Sequence, residues 1–232
     1  MFKANKKLKT ITIISFVILI TLMWLPLFTT WEPWHQPLSY AILVLTSTFS
    51  LFFVKNRKRS LLITIALAFG LVADYFLIIL QGYQTEAMCA FSVSQLLFAI
   101  VALTFSSTKK GKVIQVVIRV VLTLLGVLVT NIVLKEGALP LYVISVAYYI
   151  NMLLSMVIAF CHFKKGAFQK AFAIGLLLFA LCDITVGFDF LINIFSLGPG
   201  NIIYDINNLP FKLSVFFYTP SQVVLSLSTK LK

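Results

Sequence analysis

Eight stretches of this chain are apolar enough, and nearly all long enough, to cross a lipid bilayer as helices: residues 10–29, 38–54, 60–80, 87–105, 113–134, 139–161, 170–192 and 211–229. A hydrocarbon core of roughly 30 Å takes about 20 helical residues. Lipid offers the backbone no water, so each stretch must close its own hydrogen bonds as a helix. The chain has 232 residues, 60% hydrophobic and 11% charged, with a mean hydropathy of +1.02. Soluble domains carry about 25% charged residues. The reading is an all-α polytopic membrane protein, residues 1–232 forming a single integral membrane domain of eight transmembrane helices. The N-terminal basic run and apolar stretch resemble a signal peptide, but the stretch is too long and no small-x-small cleavage site follows, so it reads as the first span.

The distribution of charge orients these spans. "KANKKLK", "KNRKR", "KKGK" with Arg119 just beyond, "KKGAFQK" and "KLK" hold 17 of the 19 Lys and Arg, in alternate connections. Positive connections stay inside, which places both termini in the cytoplasm. The expected setting is a bacterial plasma membrane. The net charge of +12 is spread over these short clusters with no continuous basic face, which argues against nucleic acid as a partner. Trp31 and Trp34 suit an outer interfacial belt. Residues 193–210, with a Gly-Pro-Gly turn, are too polar to span; an external loop is expected there, with a lid over a pocket mouth as the alternative.

Cysteines and histidines point to no cofactor. Cys89, Cys161 and Cys182 are scattered singly and read as small buried hydrophobes. His35 and His162, at opposite membrane boundaries, leave no multi-histidine metal site.

Of the seven acids, Glu32, Glu86, Glu136 and Asp205 fall in connections and Asp189 near the outer end of span seven. Only Asp74 and Asp183 lie well inside. An ionisable group at bilayer depth usually faces the bundle interior and serves a function. From the helical rise, Asp74 lies about 9 Å below the outer end of its span and Asp183 about 13 Å below its own. The two spans run in the same direction, so the acids reach similar levels and can share a pocket in the outer half of the membrane. Gln95 comes about 12 Å down span four and Gln222 about 16 Å down span eight. Asn151, with Tyr148 and Tyr149 just before it, sits mid-span six. Amides and tyrosines also bond helices together in membranes, which is the competing reading for each of them.

Asp74 is followed in the next span by "FSVSQLLF", Asp183 by "YTPSQVVL". Ser-Gln occurs only at these two places, each time three residues after an aromatic. Duplication of a four-helix unit would explain the echo. Gly70 and Gly175 lie below the acids on their own helices, allowing close helix packing or room for a lipid tail.

These features resemble the YhhN-type lysoplasmalogenase family of eight-span membrane proteins. "LVADYFLI" matches the family's third-span Gly-Asp, with Ala73 in place of Gly and the acid kept as Asp74. "IGLLLFALCD" matches its seventh-span Gly- and Phe-containing run ending in Ser-Asp, keeping Gly175, Phe179 and Asp183, with Cys182 in place of Ser. Gln95 stands where the family usually has His. Tyr149 with Met156, and Tyr218 with Gln222, match further motifs.

The resemblance implies hydrolysis of the vinyl ether bond of lysoplasmalogens to a fatty aldehyde and a glycerophospho-base. Such bonds break by protonation at carbon, giving an oxocarbenium-like cation that water attacks. Two carboxyls, Asp74 and Asp183, suit that labour as glycosidase pairs do. Gln95, Tyr149, Asn151 and Gln222 would bind the substrate and the water. A non-catalytic binder or proton-coupled carrier of a lipid or small amphiphile is the main alternative, and a structural or partner-binding role the second. Oligomeric state is not legible.

Overall fold

A computed structural model describes residues 6–25, 35–51, 58–134, 140–209 and 213–231. Among these the ordered elements are all helical. They are α1 (Lys6–Trp24), α2 (His35–Leu51), α3 (Lys58–Asp74), α4 (Gln84–Leu103), α5 (Lys109–Leu134), α6 (Pro140–Cys161), α7 (Ala167–Phe195), the short α8 (Ile202–Asn207) and α9 (Leu213–Ser228). Each of the eight apolar stretches thus carries a helix. Five helices are long and apolar enough to cross a membrane, while α1 and α9 are shorter apolar helices. Large apolar side chains point outward, among them Val117, Leu124, Leu128 and Ile132 on α5. A soluble fold would bury such residues, so this is an integral membrane protein. Trp31, Trp34, Glu32 and Glu136 lie outside the described residues.

The interior is built from α3, α4, α6, α7 and α9. α7 packs most extensively on α9, α3 on α4 and α4 on α6. Gly175 sets the closest approach of α7 and α9: a Cβ there would lie 2.7 Å from Leu225 Cγ and Cδ2. The Ser221 hydroxyl donates to the Gly175 carbonyl at 2.8 Å across the same contact. Other hydroxyls stitch α9 to its neighbours, Ser226 donating to the Thr46 carbonyl at 2.9 Å and Ser60 to that of Thr229 at 2.8 Å. Small residues and hydroxyls serve here because apolar burial gives no driving force between helices in lipid.

Two features depart from plain helical spans. Directly after Asp74, the helix widens into a π-helix over Tyr75–Leu80 and stops at Gln81 and Gly82, both at positive φ. Such π segments recur at functional sites. Residues 193–210 hold α8, whose N-terminus is capped by the Asn201 side chain accepting from the Ile203 N–H at 3.0 Å. α8 helps enclose a cavity of about 300 Å³ with Thr185, Val186, Phe188, Leu213 and Ser214. Val186, one turn above Asp183 on α7, and Ser214, one turn before Tyr218 on α9, are among the residues that line it.

Arg119 corrects the reading of the basic clusters. It belongs with the α5 interior, ten residues past Lys109, where it is 7% exposed and faces α6.

Candidate functional site

Asp74 and Asp183 come from helices far apart in sequence, and each meets a tyrosine hydroxyl. Tyr218 of α9 donates to Asp74 Oδ2 at 2.6 Å. Tyr148 of α6 donates to Asp183 Oδ2 in a short hydrogen bond. The following residue, Tyr149, donates to the backbone carbonyl of Asp183 at 3.1 Å. A buried carboxyl needs such partners, since water is not at hand to satisfy it.

A row of aromatic rings joins the two pairs. Tyr218 packs edge-on against Phe179 with centroids 5.4 Å apart, Phe179 edge-on against Phe91 at 6.2 Å, and Phe91 lies tilted against Tyr148 at 6.0 Å. Tyr148 and Tyr149 continue it at 5.3 Å. Edge-on contacts of this kind fix ring orientation and hence where each hydroxyl points. The two acid–tyrosine pairs are thus linked through one row of rings.

Glycines lie beside two of the tyrosine hydroxyls, at distances where a methyl would make ordinary contact. A Cβ on Gly70, one turn below Asp74, would lie 3.9 Å from the Tyr218 hydroxyl. One on Gly187, a turn above Asp183, would lie 3.7 Å from that of Tyr149. Gly175 serves helix packing instead, so the two glycines below the acids have different jobs.

The remaining candidates fall into two groups. Gln95 is fully buried, one turn below Phe91, and neither atom of its amide finds a partner among the described residues. Gln222 is buried one turn below Tyr218. Both glutamines thus sit one turn beneath the aromatic row. Asn151 is differently engaged. Its amide nitrogen donates to the Ala147 carbonyl at 2.9 Å, and its Oδ1 accepts from Arg119 at 3.2 Å. The first bond lies within α6, and the second joins α6 to α5.

Tyr148, Tyr218, Phe91 and Phe179 complete the site, and spacing gave only a faint signal for them. The aromatic preceding each Ser-Gln is Phe91 in one copy and Tyr218 in the other, and both belong to the row. Among the described residues, no three His, Cys, Asp or Glu side chains gather to hold a metal.

No curated protein and no solved structure matches the chain. A model of the YhhN family matches residues 31–203, a range that includes both acids, Phe91, Gln95, Tyr148 and Tyr149. Tyr218 and Gln222 lie beyond it, and their place in the site rests on geometry. With well over half its length matched, this chain belongs to the YhhN family.

Proposed function

We propose that this protein is an intramembrane lipid hydrolase, cleaving the vinyl ether bond of lysoplasmalogens to a fatty aldehyde and a glycerophospho-base. The family includes lysoplasmalogenases. The observation that carries the reading is the pair of acids, Asp74 and Asp183, each on a tyrosine hydroxyl and joined by one aromatic row.

The chemistry requires one proton donor and one group to stabilise positive charge. The protonated carboxyl gives its proton to the outer carbon of the O–CH=CH unit. That carbon becomes CH2, and the ether carbon becomes an oxocarbenium ion, which the second carboxylate stabilises. Water adds to the ether carbon and loses a proton to a carboxylate, giving a hemiacetal. The hemiacetal expels the glycerol oxygen, which takes up a proton, and releases the aldehyde. One water is consumed and the protons balance. A carboxyl pair is suited to this division of labour. Gln95 and Gln222 hold the water beneath the acids, and Tyr149 fixes the Asp183 backbone against the substrate. Asn151, its amide taken up by Ala147 and Arg119, supports the site only through α6.

Around this site the eight helices span the membrane with their Lys-rich ends and both termini in the cytoplasm. The acids then lie in the outer half, and a single-chain lipid enters from the outer leaflet. The two Ser-Gln segments mark an internal duplication.

The test is hydrolysis of a 1-alkenyl lysophospholipid in D2O by the purified protein in lipid. The expected product is a fatty aldehyde bearing one deuterium on the carbon next to the carbonyl. No aldehyde with any head group contradicts the reading. Proton-dependent flux of the intact lipid would assign a carrier instead.

A further inference from the structure

Arg119 is a buried cation in a membrane helix with no carboxylate partner among the described residues. Its Nη1 donates to the Asn151 backbone carbonyl at 2.9 Å and to Asn151 Oδ1 at 3.2 Å. Its Nε and Nη2 are buried and have no hydrogen-bond partner among the described residues. These two nitrogens form the side edge of the guanidinium, where two parallel N–H bonds match the paired oxygens of a phosphate or carboxylate. Anchoring α5 to α6 needs only Nη1. Leaving the bidentate edge buried and unmatched is costly for a charged group, so that edge calls for an oxyanion.

The surroundings suit one. Gln115 lies one turn nearer the Lys-rich end of α5 on the same face, and its Oε1 is also buried without a partner among the described residues. Its amide can turn to present its nitrogen as a donor instead. A further turn out, Lys112 is exposed, beside Lys109 and Lys110. Lys112, Gln115 and Arg119 therefore form a ladder of donors running from the membrane surface inward along one helix face. α5 leans on α6 and is otherwise largely exposed. The pair packs tightly at Gly126, where a Cβ would come within 2.6 Å of Val146 Cγ1. Because the fork is buried, an oxyanion reaches it only where the seam parts at its Lys-rich end.

We propose that the α5–α6 seam is a phosphate-binding site, separate from the carboxyl cluster, in which Arg119 grips two oxygens of a phosphate ester and Gln115 and Lys112 guide it in. The occupant is a phospholipid head group from the leaflet at the Lys-rich end, or a soluble phosphate of the same chemistry.

The test is thermal unfolding of the purified, delipidated full chain in a neutral, phosphate-free surfactant. The additions are phosphatidylglycerol, diacylglycerol with the same chains, and inorganic phosphate. Phosphatidylglycerol is expected to raise the wild-type midpoint by about 5 °C, with no rise from diacylglycerol. A rise with phosphatidylglycerol alone identifies a lipid head group; an equal rise with inorganic phosphate identifies a soluble phosphate. Arg119→Lys keeps the charge but loses the fork, and Arg119→Gln keeps a donor for the Asn151 carbonyl but loses the charge. Each is expected to raise the half-saturating phosphatidylglycerol concentration roughly tenfold. Equal responses in wild type and both variants, or equal effects of phosphatidylglycerol and diacylglycerol on wild type, overturn the proposal. If neither variant folds, native mass spectrometry of the wild type decides: retained phospholipid or phosphate supports the site, and its absence after phosphatidylglycerol is added overturns it.

Discussion

Asp74 and Asp183 each meet a tyrosine hydroxyl, yet their supports differ in origin. Asp74, on α3, is held by Tyr218 of α9, 144 residues away. If the halves are related by duplication, the counterpart of Tyr218 is Phe91 on α4. Phe91 has no hydroxyl. It packs instead against Tyr148 of α6, and that ring supplies the hydroxyl to Asp183. Asp183 has a second tyrosine, Tyr149, on its backbone carbonyl and is half-buried, whereas Asp74 is only 5% exposed. One acid is thus held by a single residue in a tight enclosure, and the other by an adjacent pair in a looser one. Equal chemistry need not rest on equal scaffolding.

The largest expected effect does not distinguish the two. Asp74→Asn and Asp183→Asn should each lower aldehyde release by roughly 10²–10⁴-fold, as loss of an acid–base group does. Circular dichroism and size-exclusion profiles should stay at wild type. The tyrosines should separate the pairs. Tyr218→Phe leaves Asp74 buried without its hydroxyl partner and should lower stability by about 1–3 kcal/mol, read by thermal unfolding. Tyr148→Phe should have the smaller effect, since Asp183 is more exposed and Tyr149 still holds its backbone. An equal loss from both substitutions would break the comparison. Phe91→Tyr added to Tyr148→Phe would sharpen it, by restoring part of the lost activity through a hydroxyl at the counterpart position.

Packing beneath the acids gives the smallest effects. Gly175→Ala drives a methyl to 2.7 Å from Leu225 and should cost about 1–3 kcal/mol through strain between α7 and α9. Gly70→Ala meets nothing nearer than the Tyr218 hydroxyl at 3.9 Å and should change the unfolding midpoint far less. The reverse order would mean that the stripe under Asp74 is the tighter one.

What was legible in the sequence follows from what lipid demands of a chain. Apolar runs with charged ends locate helices wherever hydrocarbon forbids alternatives, and the eight stretches each carry one. Isolated acids within them mark the site, because few other residues are as costly there. The partners are set by tertiary packing and leave little trace. Nothing in "ADYFLIIL" announces a π-helix after Asp74, and no spacing connects Tyr218 to Asp74 across most of the chain. Asn151 read as a pocket residue because its sequence neighbours are tyrosines. Two residues past Tyr149 it lies about half a turn round α6, and its amide oxygen meets Arg119 of α5 instead. Arg119 read as the tail of a basic loop because charge near a span end usually is one. Only the packing of α5 on α6 reveals it as buried.

The central claim is that the two carboxyls act together on one substrate. The direct test is aldehyde release by wild type, Asp74→Asn, Asp183→Asn and the double substitution, all confirmed as folded. Groups acting as a unit are strongly non-additive, so both single variants should fall to a common floor and the double variant no lower. Losses that multiply in the double variant, or a single variant that keeps the wild-type rate, would contradict it.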